Sequence, residues 1–157
     1  CEKSLKDFDK VIELAKDDSM SSGYTPIKSE AYGQKGMLYR DMGEHGKALE
    51  AYNMALKLVK PGAGNFIYHN MANLLIKMGK HEDAIKHLKF FLGARGEEFS
   101  KKKLAFSPCQ QLLEKGYEVE GCPDKELLKK LDYQAYSMII SEERKKYYAE
   151  KNQEKGN

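Results

Sequence analysis

The chain has 157 residues, 41% of them hydrophobic, which is enough for one domain with a real core and excludes wholesale disorder. Twenty-seven basic and 24 acidic residues leave a net charge of +3, spread evenly, against the clustered positive charge that a nucleic-acid surface requires. No stretch is apolar for the roughly 18 residues that a membrane span needs, and none reads as a signal peptide.

In chain order, the first element is a helix from Ser4 to Ala15, with Leu5, Phe8, Ile12 and Ala15 on one face. Thr25-Pro26 reads as an N-cap followed by proline in the first helical position. Ala31 to Met42 is helical in pattern. From Ala48 the apolar residues Ala48, Tyr52, Ala55 and Val59 recur at helical gaps, with Leu49 and Leu56 beside them. Gly43 lies between the two segments, where a helix end favours a left-handed residue. Pro61-Gly62 closes the unit.

The plan then returns. Ile67 to Met78 is followed, past Gly79, by Ala84, Leu88 and Phe91, flanked by Ile85 and Leu92. A shift of 36 residues lays Tyr32, Gly36, Gly43, Ala48 and Leu49 on Tyr68, Ala72, Gly79, Ala84 and Ile85. Leu38, Met42 and Leu56 fall on Leu74, Met78 and Leu92 under the same shift, so this is an internal repeat of helix, tight turn, helix. Beyond it, the pattern predicts two short helices, around Phe99 to Phe106 and Pro108 to Lys115. Ser107-Pro108 would cap the second of them and Gly116 would end it. Asp124 to about Glu150 reads as one long helix with a stripe of Leu127, Leu128, Leu131, Ala135, Met138 and Ile139. The charged terminal residues are expected to fray.

Tyr32, Gly36 and Tyr39, then Ala48, Tyr52 and Ala55, make a large-small-large pattern that resembles the tetratricopeptide repeat family. Tyr68, Met71, Ala72, Ala84 and Leu88 carry it in the second unit. The departures are Lys35, where an apolar residue is expected, and Phe91, where a small one is. The two extra residues of the period fit a longer connection at Gly62-Ala63-Gly64. Ser4, Phe8 and Val11 resemble Ala48, Tyr52 and Ala55, which makes the first helix the second half of a unit. The resemblance implies an all-α fold of antiparallel helix-turn-helix repeats, a right-handed α-solenoid with C-terminal capping helices. One domain over residues 1–157 would hold a half repeat at 4–17, repeats at 26–60 and 64–96, and irregular and capping helices at 97–150.

The resemblance also implies function: an adaptor or scaffold that binds a peptide or helix of another protein in the concave groove lined by the first helix of each unit. The inward-facing positions are Met37 and Arg40, with Gly33 leaving a gap, and Phe66, His69, Asn70, Asn73 and Lys77. Amides there can bond a peptide backbone, and cations can meet carboxylates. Domains of this family that clamp a chaperone's terminal carboxylate carry a lysine and two asparagines. Asn70 and Asn73 stand at two of those places, but His69 replaces the lysine and Gly33 and Met37 the matching pair, so that clamp is not expected. The alternatives are an assembly unit that self-associates through its open N-terminal half repeat, and an accessory domain of a larger multidomain protein or lipoprotein.

No phosphate-binding glycine loop, nucleophile elbow or paired-carboxylate motif is present. Asp83 and His87 share a helix face without a third ligand. No catalytic residue, metal or cofactor is therefore expected. Cys109 and Cys122, 13 residues apart, are expected to be uncommitted thiols in a cytoplasmic protein, with a disulfide between them as the alternative pairing and membrane tethering through a lipidated Cys1 as the alternative location. Lys101-Lys102-Lys103 reads as a solvated run, and as an acidic-partner contact in the sharper reading. Tyr133, Tyr136, Tyr147 and Tyr148 read as half-buried caps with a wet hydroxyl, and as a second partner surface in the sharper reading.

Overall fold

The computed structural model describes residues 2–15, 27–59, 65–94 and 97–156, and every regular element among them is a helix. These are α1 (Glu2–Leu14), α2 (Ile27–Asp41), α3 (His45–Lys57), α4 (Asn65–Lys77), α5 (His81–Gly93), α6 (Glu98–Glu114), α7 (Lys125–Lys130) and α8 (Tyr133–Gly156). None of them is long and apolar enough to cross a membrane. The expected Thr25-Pro26 cap, the Pro61 to Gly64 connection and Cys1 lie outside the described residues.

The two sequence repeats are the pairs α2/α3 and α4/α5. Each first helix ends in the same turn. Gly43 and Gly79 take φ of +78° and +74°, which a residue with a Cβ adopts only at a cost. The amide of Glu44 donates to Tyr39 O at 2.9 Å, and that of Lys80 to Leu75 O at 2.8 Å, so the exposed carbonyls are satisfied identically. The pairs close on small residues. A Cβ at Gly36 would stand 2.5 Å from two ring carbons of Tyr52, which is 0% exposed. Ala48 and Ala55 are fully buried beside it.

Lys35 does not break the pattern, because its ammonium pairs with Asp9 of α1. α1 packs on α2 through half-buried Leu5, Phe8 and Ile12. Its other side carries exposed Glu2, Lys3, Lys6, Asp7, Lys10 and Glu13, and beside them Val11 and Leu14 are exposed as well, Leu14 at 68%.

Beyond Gly93 the structure departs from the expectation. The two short helices are one: α6 runs through Pro108, so Ser107-Pro108 is neither a cap nor a start. Glu97 begins α6 instead, accepting from Ser100 N at 2.7 Å. α6 ends as α2 and α4 do, with Gly116 at φ +88° and Tyr117 N donating to Leu112 O at 2.9 Å. It packs on α4 and is paired by α8, which makes a third helix pair. Phe106 stacks on Tyr136 at 4.7 Å, and Tyr136 is buried and not a wet cap. Tyr147 and Tyr148 remain partly exposed against Phe99.

Between α6 and α8 the connection is longer than in the repeats and contains α7. The predicted single helix from Asp124 breaks at Leu131, which is extended at ψ 148°, because Asp132 caps α8 by accepting from Ala135 N at 2.8 Å. α8 then stays helical to Gly156 where fraying was expected. Cys109 of α6 and Cys122 of the connection form a disulfide, with Cα atoms 5.9 Å apart, and are not uncommitted thiols.

The lysine run is not solvated throughout. Lys101 is 2% exposed, and its ammonium donates to Leu92 O at 3.2 Å, to Ala94 O, and to Glu98 Oε1 at 2.9 Å. It closes the carbonyl end of α5, where a cation is favoured by both hydrogen bonding and the helix dipole. Lys102 reaches Glu143 at 3.3 Å and Lys103 reaches Ser141 Oγ at 2.8 Å, so the whole run ties α6 to its neighbours.

Candidate partner-binding site

The residues expected to line the inner face come from α2 and α4, and α6 decides which of them stay accessible. Phe66 does not face an open groove. Its ring fills the place that Gly33 leaves, and a Cβ at Gly33 would stand 2.9 Å from its Cζ. Met37 is half buried against the core.

His69 and Asn73 face α6. Pro108 has no N–H, so the carbonyl four residues earlier, Leu104 O, loses its partner within the helix. His69 Nδ1 stands 2.6 Å from that oxygen and donates to it. This fixes the tautomer: Nε2 is then an acceptor, and Asn73 Nδ2 donates to it at 3.2 Å. Asn73 Oδ1 in turn accepts from Gln111 Nε2 at 2.7 Å and from Ser107 Oγ at 3.4 Å. A continuous polar seam therefore joins α4 to α6.

Burial holds the His69 pKa below its ordinary 6.5. The Leu104 bond opposes this shift and the Arg40 charge adds to it. Burial lowers the His87 pKa too, against the pull of Asp83. Both folded values lie below the unfolded one, so the unfolded chain takes up protons that the folded one refuses. Their contribution to stability is complete above the unfolded pKa and falls away as pH drops below it. Thermal midpoints are expected to decline from about pH 7.5 to about pH 5. His69→Asn, whose amide can replace Nδ1, should flatten part of the slope. A flat profile over that range would contradict the assignment.

Arg40, Lys77 and part of Asn73 remain open. Arg40 lies in the last turn of α2, held by Nε and Nη2 on Asp41 Oδ1 at 2.9 and 2.8 Å and by Nη1 on Asn70 Oδ1 at 3.0 Å. Asn70 thus serves to orient Arg40. Lys77 ends α4 and Lys115 caps the end of α6. Arg40, Asn73, Leu74, Ile76, Lys77, Gln111 and Lys115 line one hollow of about 360 Å³. Of its polar residues, Gln111 and Lys115 were missed by the sequence reading. Neither Lys77 nor Lys115 has an ion-pair partner among the described residues. Among those residues no cluster of three or more metal-ligating side chains occurs.

In comparisons with known proteins, a tetratricopeptide repeat family model matches residues 29–59 and a second such model matches residues 67–89. No curated protein and no solved structure matches the chain.

Proposed function

From the premise that this chain is a tetratricopeptide-repeat protein, as its two matched units show, we propose that it is an interaction adaptor holding an extended peptide of a partner protein. The single observation behind this is the hollow of about 360 Å³ at the common end of α2, α4 and α6. It lies at the lower end of the roughly 300–1,000 Å³ usual for ligand pockets, so it suits a peptide end or side chain better than a whole helix. The bound segment would lie along Arg40, Asn73 and Lys77 of the expected surface, with Gln111 and Lys115 opposite. His69 and Asn70 are positioning residues in this reading, since His69 spends both ring nitrogens and Asn70 its Oδ1 within the chain.

Self-association through α1 would draw on exposed Val11 and Leu14, and the six exposed charges beside them oppose it. The Cys109–Cys122 bond supports an oxidising compartment over the cytoplasm expected from the sequence. The function is tested by selecting binders from a displayed random peptide library and mapping them by hydrogen exchange. Selected peptides should slow exchange at the ends of α2, α4 and α6. An empty selection, or protection confined to α1 or α8, would overturn the reading.

A further inference from the structure

We propose that the polar seam between α4 and α6 is a pH relay: a proton taken up by His69 reverses Asn73 and Gln111 in turn, so that the wall of the hollow offers an acceptor at neutral pH and a donor in acid. The proposal rests on the adaptor reading above and adds its regulation, release of the partner on acidification.

The relay follows from the fixed polarity of its first group. A carbonyl can only accept, and Pro108 leaves Leu104 O without its helix partner, so His69 Nδ1, at 2.6 Å, carries hydrogen in both protonation states. Only Nε2 can change. While it is bare it accepts from Asn73 Nδ2 at 3.2 Å, which turns Asn73 Oδ1 toward α6. There Oδ1 accepts from Gln111 Nε2 at 2.7 Å, whose other hydrogen goes to Ser107, with Oγ at 3.1 Å and O at 3.3 Å. Gln111 Oε1 takes no hydrogen bond among the described residues and is left for an occupant of the hollow that Gln111 lines. That acceptor suits a backbone N–H of an extended peptide.

A proton on Nε2 sets two donors face to face, Nε2–H and the Asn73 amide. In a partly buried seam that conflict is relieved by rotating the amide about its last bond. Asn73 turned over presents Oδ1 to His69 and Nδ2 to α6. Gln111 must then turn as well, presenting Oε1 to Asn73, and its Nε2 hydrogens swing toward the hollow. Ser107 Oγ can donate or accept, so it fits either arrangement. Each seam bond lost is replaced by its reverse, which gives two discrete arrangements selected by one proton. Among the described residues Arg40 of α2 is the one charge that acts on His69; α3, α5 and α6 also pack on α4 and bring it no titratable group. Burial, helped by that charge, holds the proton off until the pH falls below the ordinary histidine range.

The relay is tested in the whole chain, without any partner, from side-chain nitrogen resonances between about pH 7.5 and about pH 5. His69 Nδ1 should keep its proton throughout while Nε2 gains one. The Asn73 and Gln111 amides should titrate at the same midpoint. In His69→Asn, which keeps a donor for Leu104 O and has no titrating nitrogen, both amides should stay flat. Amides that do not follow His69, or that still titrate in the variant, would overturn the relay, as would an Nε2 that stays bare until the chain unfolds. The regulation is read with a peptide selected from the displayed library at the neutral end of that range. Its affinity should fall about tenfold or more below the His69 midpoint, because one hydrogen bond is exchanged for an opposed donor. By linkage, the bound peptide should move that midpoint to lower pH. Gln111→Met should remove the pH dependence while His69 still titrates, which separates the turned amide from the added charge. Affinity indifferent to His69, or a dependence that survives Gln111→Met, would overturn the gating. An empty selection counts against the adaptor reading alone, because the seam is read without a peptide.

Discussion

Gly36→Ala is expected to lower the thermal midpoint, although alanine is the better helix former. In an exposed helix this change would gain up to about 1 kcal/mol. Here the new methyl would stand 2.5 Å from two carbons of the Tyr52 ring. That ring is 0% exposed and packed into the core, so it has no free direction to move. Forcing a methyl into a filled core costs about 1–3 kcal/mol, more than the propensity gain offsets. The net loss should be about 1–2 kcal/mol. At this chain length that corresponds to a fall of roughly 2–8 °C. Gly46→Ala in α3 is the control, because nothing lies within 4 Å of its added carbon. Its midpoint should hold or rise. If Gly36→Ala also rises, the helices of the first pair are not in the contact described.

Reducing the Cys109–Cys122 bond should have the larger effect. The two cysteines are 13 residues apart, and closing a loop of about that size stabilises by roughly 3 kcal/mol, mainly by restricting the unfolded chain. The midpoint in calorimetry with a phosphine reductant is therefore expected to fall by roughly 6–12 °C. Far-ultraviolet helicity at low temperature should change little, since α6 keeps Ala105, Phe106 and Leu112 buried without the bond. A Cys109→Ala, Cys122→Ala variant should melt below the oxidised protein and be indifferent to reductant. Coincident midpoints with and without reductant would mean that the loop is already constrained by other contacts. The tilted contact of Tyr117 with His81, ring centres 5.3 Å apart, is one such contact.

The first two helix pairs were legible because every signal that makes them is local and occurs twice. Gly43 and Gly79, Gly36 and Ala72, and Ala48 and Ala84 each repeat at 36 residues. The third pair carried part of the same code. Cys109 precedes Gly116 by seven residues, as Gly36 precedes Gly43 and Ala72 precedes Gly79. Two features hid it. Pro108 is a strong helix-start signal, and the residues after Gly116 turn into a loop and not into a second helix.

The misplaced details share a cause: their partners are distant backbone atoms. Lys101 is buried because the carbonyl end of α5 needs a donor, which no side-chain pattern records. The break at Leu131 was locally legible, since Asp132 is a good N-cap residue, but the apolar stripe across it suggested one helix. At the site, Arg40 and Lys77 could be found by counting along α2 and α4. Gln111 and Lys115 could not, because they belong to the inner face only once α6 is recognised as a first helix. His69 and Asn73 were expected on that face, and in the structure they bond to α6, with part of Asn73 left open to the hollow.

Proline in α6 and histidine in α4 also have a meaning for assembly order. Repeat chains risk pairing a helix with the wrong copy of its neighbour, since the copies look alike. α6 exposes one carbonyl that nothing within it can satisfy, and an unpaired buried carbonyl costs about 1–3 kcal/mol. α4 has His69 to meet it, whereas the matching place in α2, a period of 36 earlier, is Gly33, which has no side chain to offer. The carbonyl and the imidazole act as a key and its lock, so α6 has a chemical reason to dock beside α4, in one register, and not beside its twin.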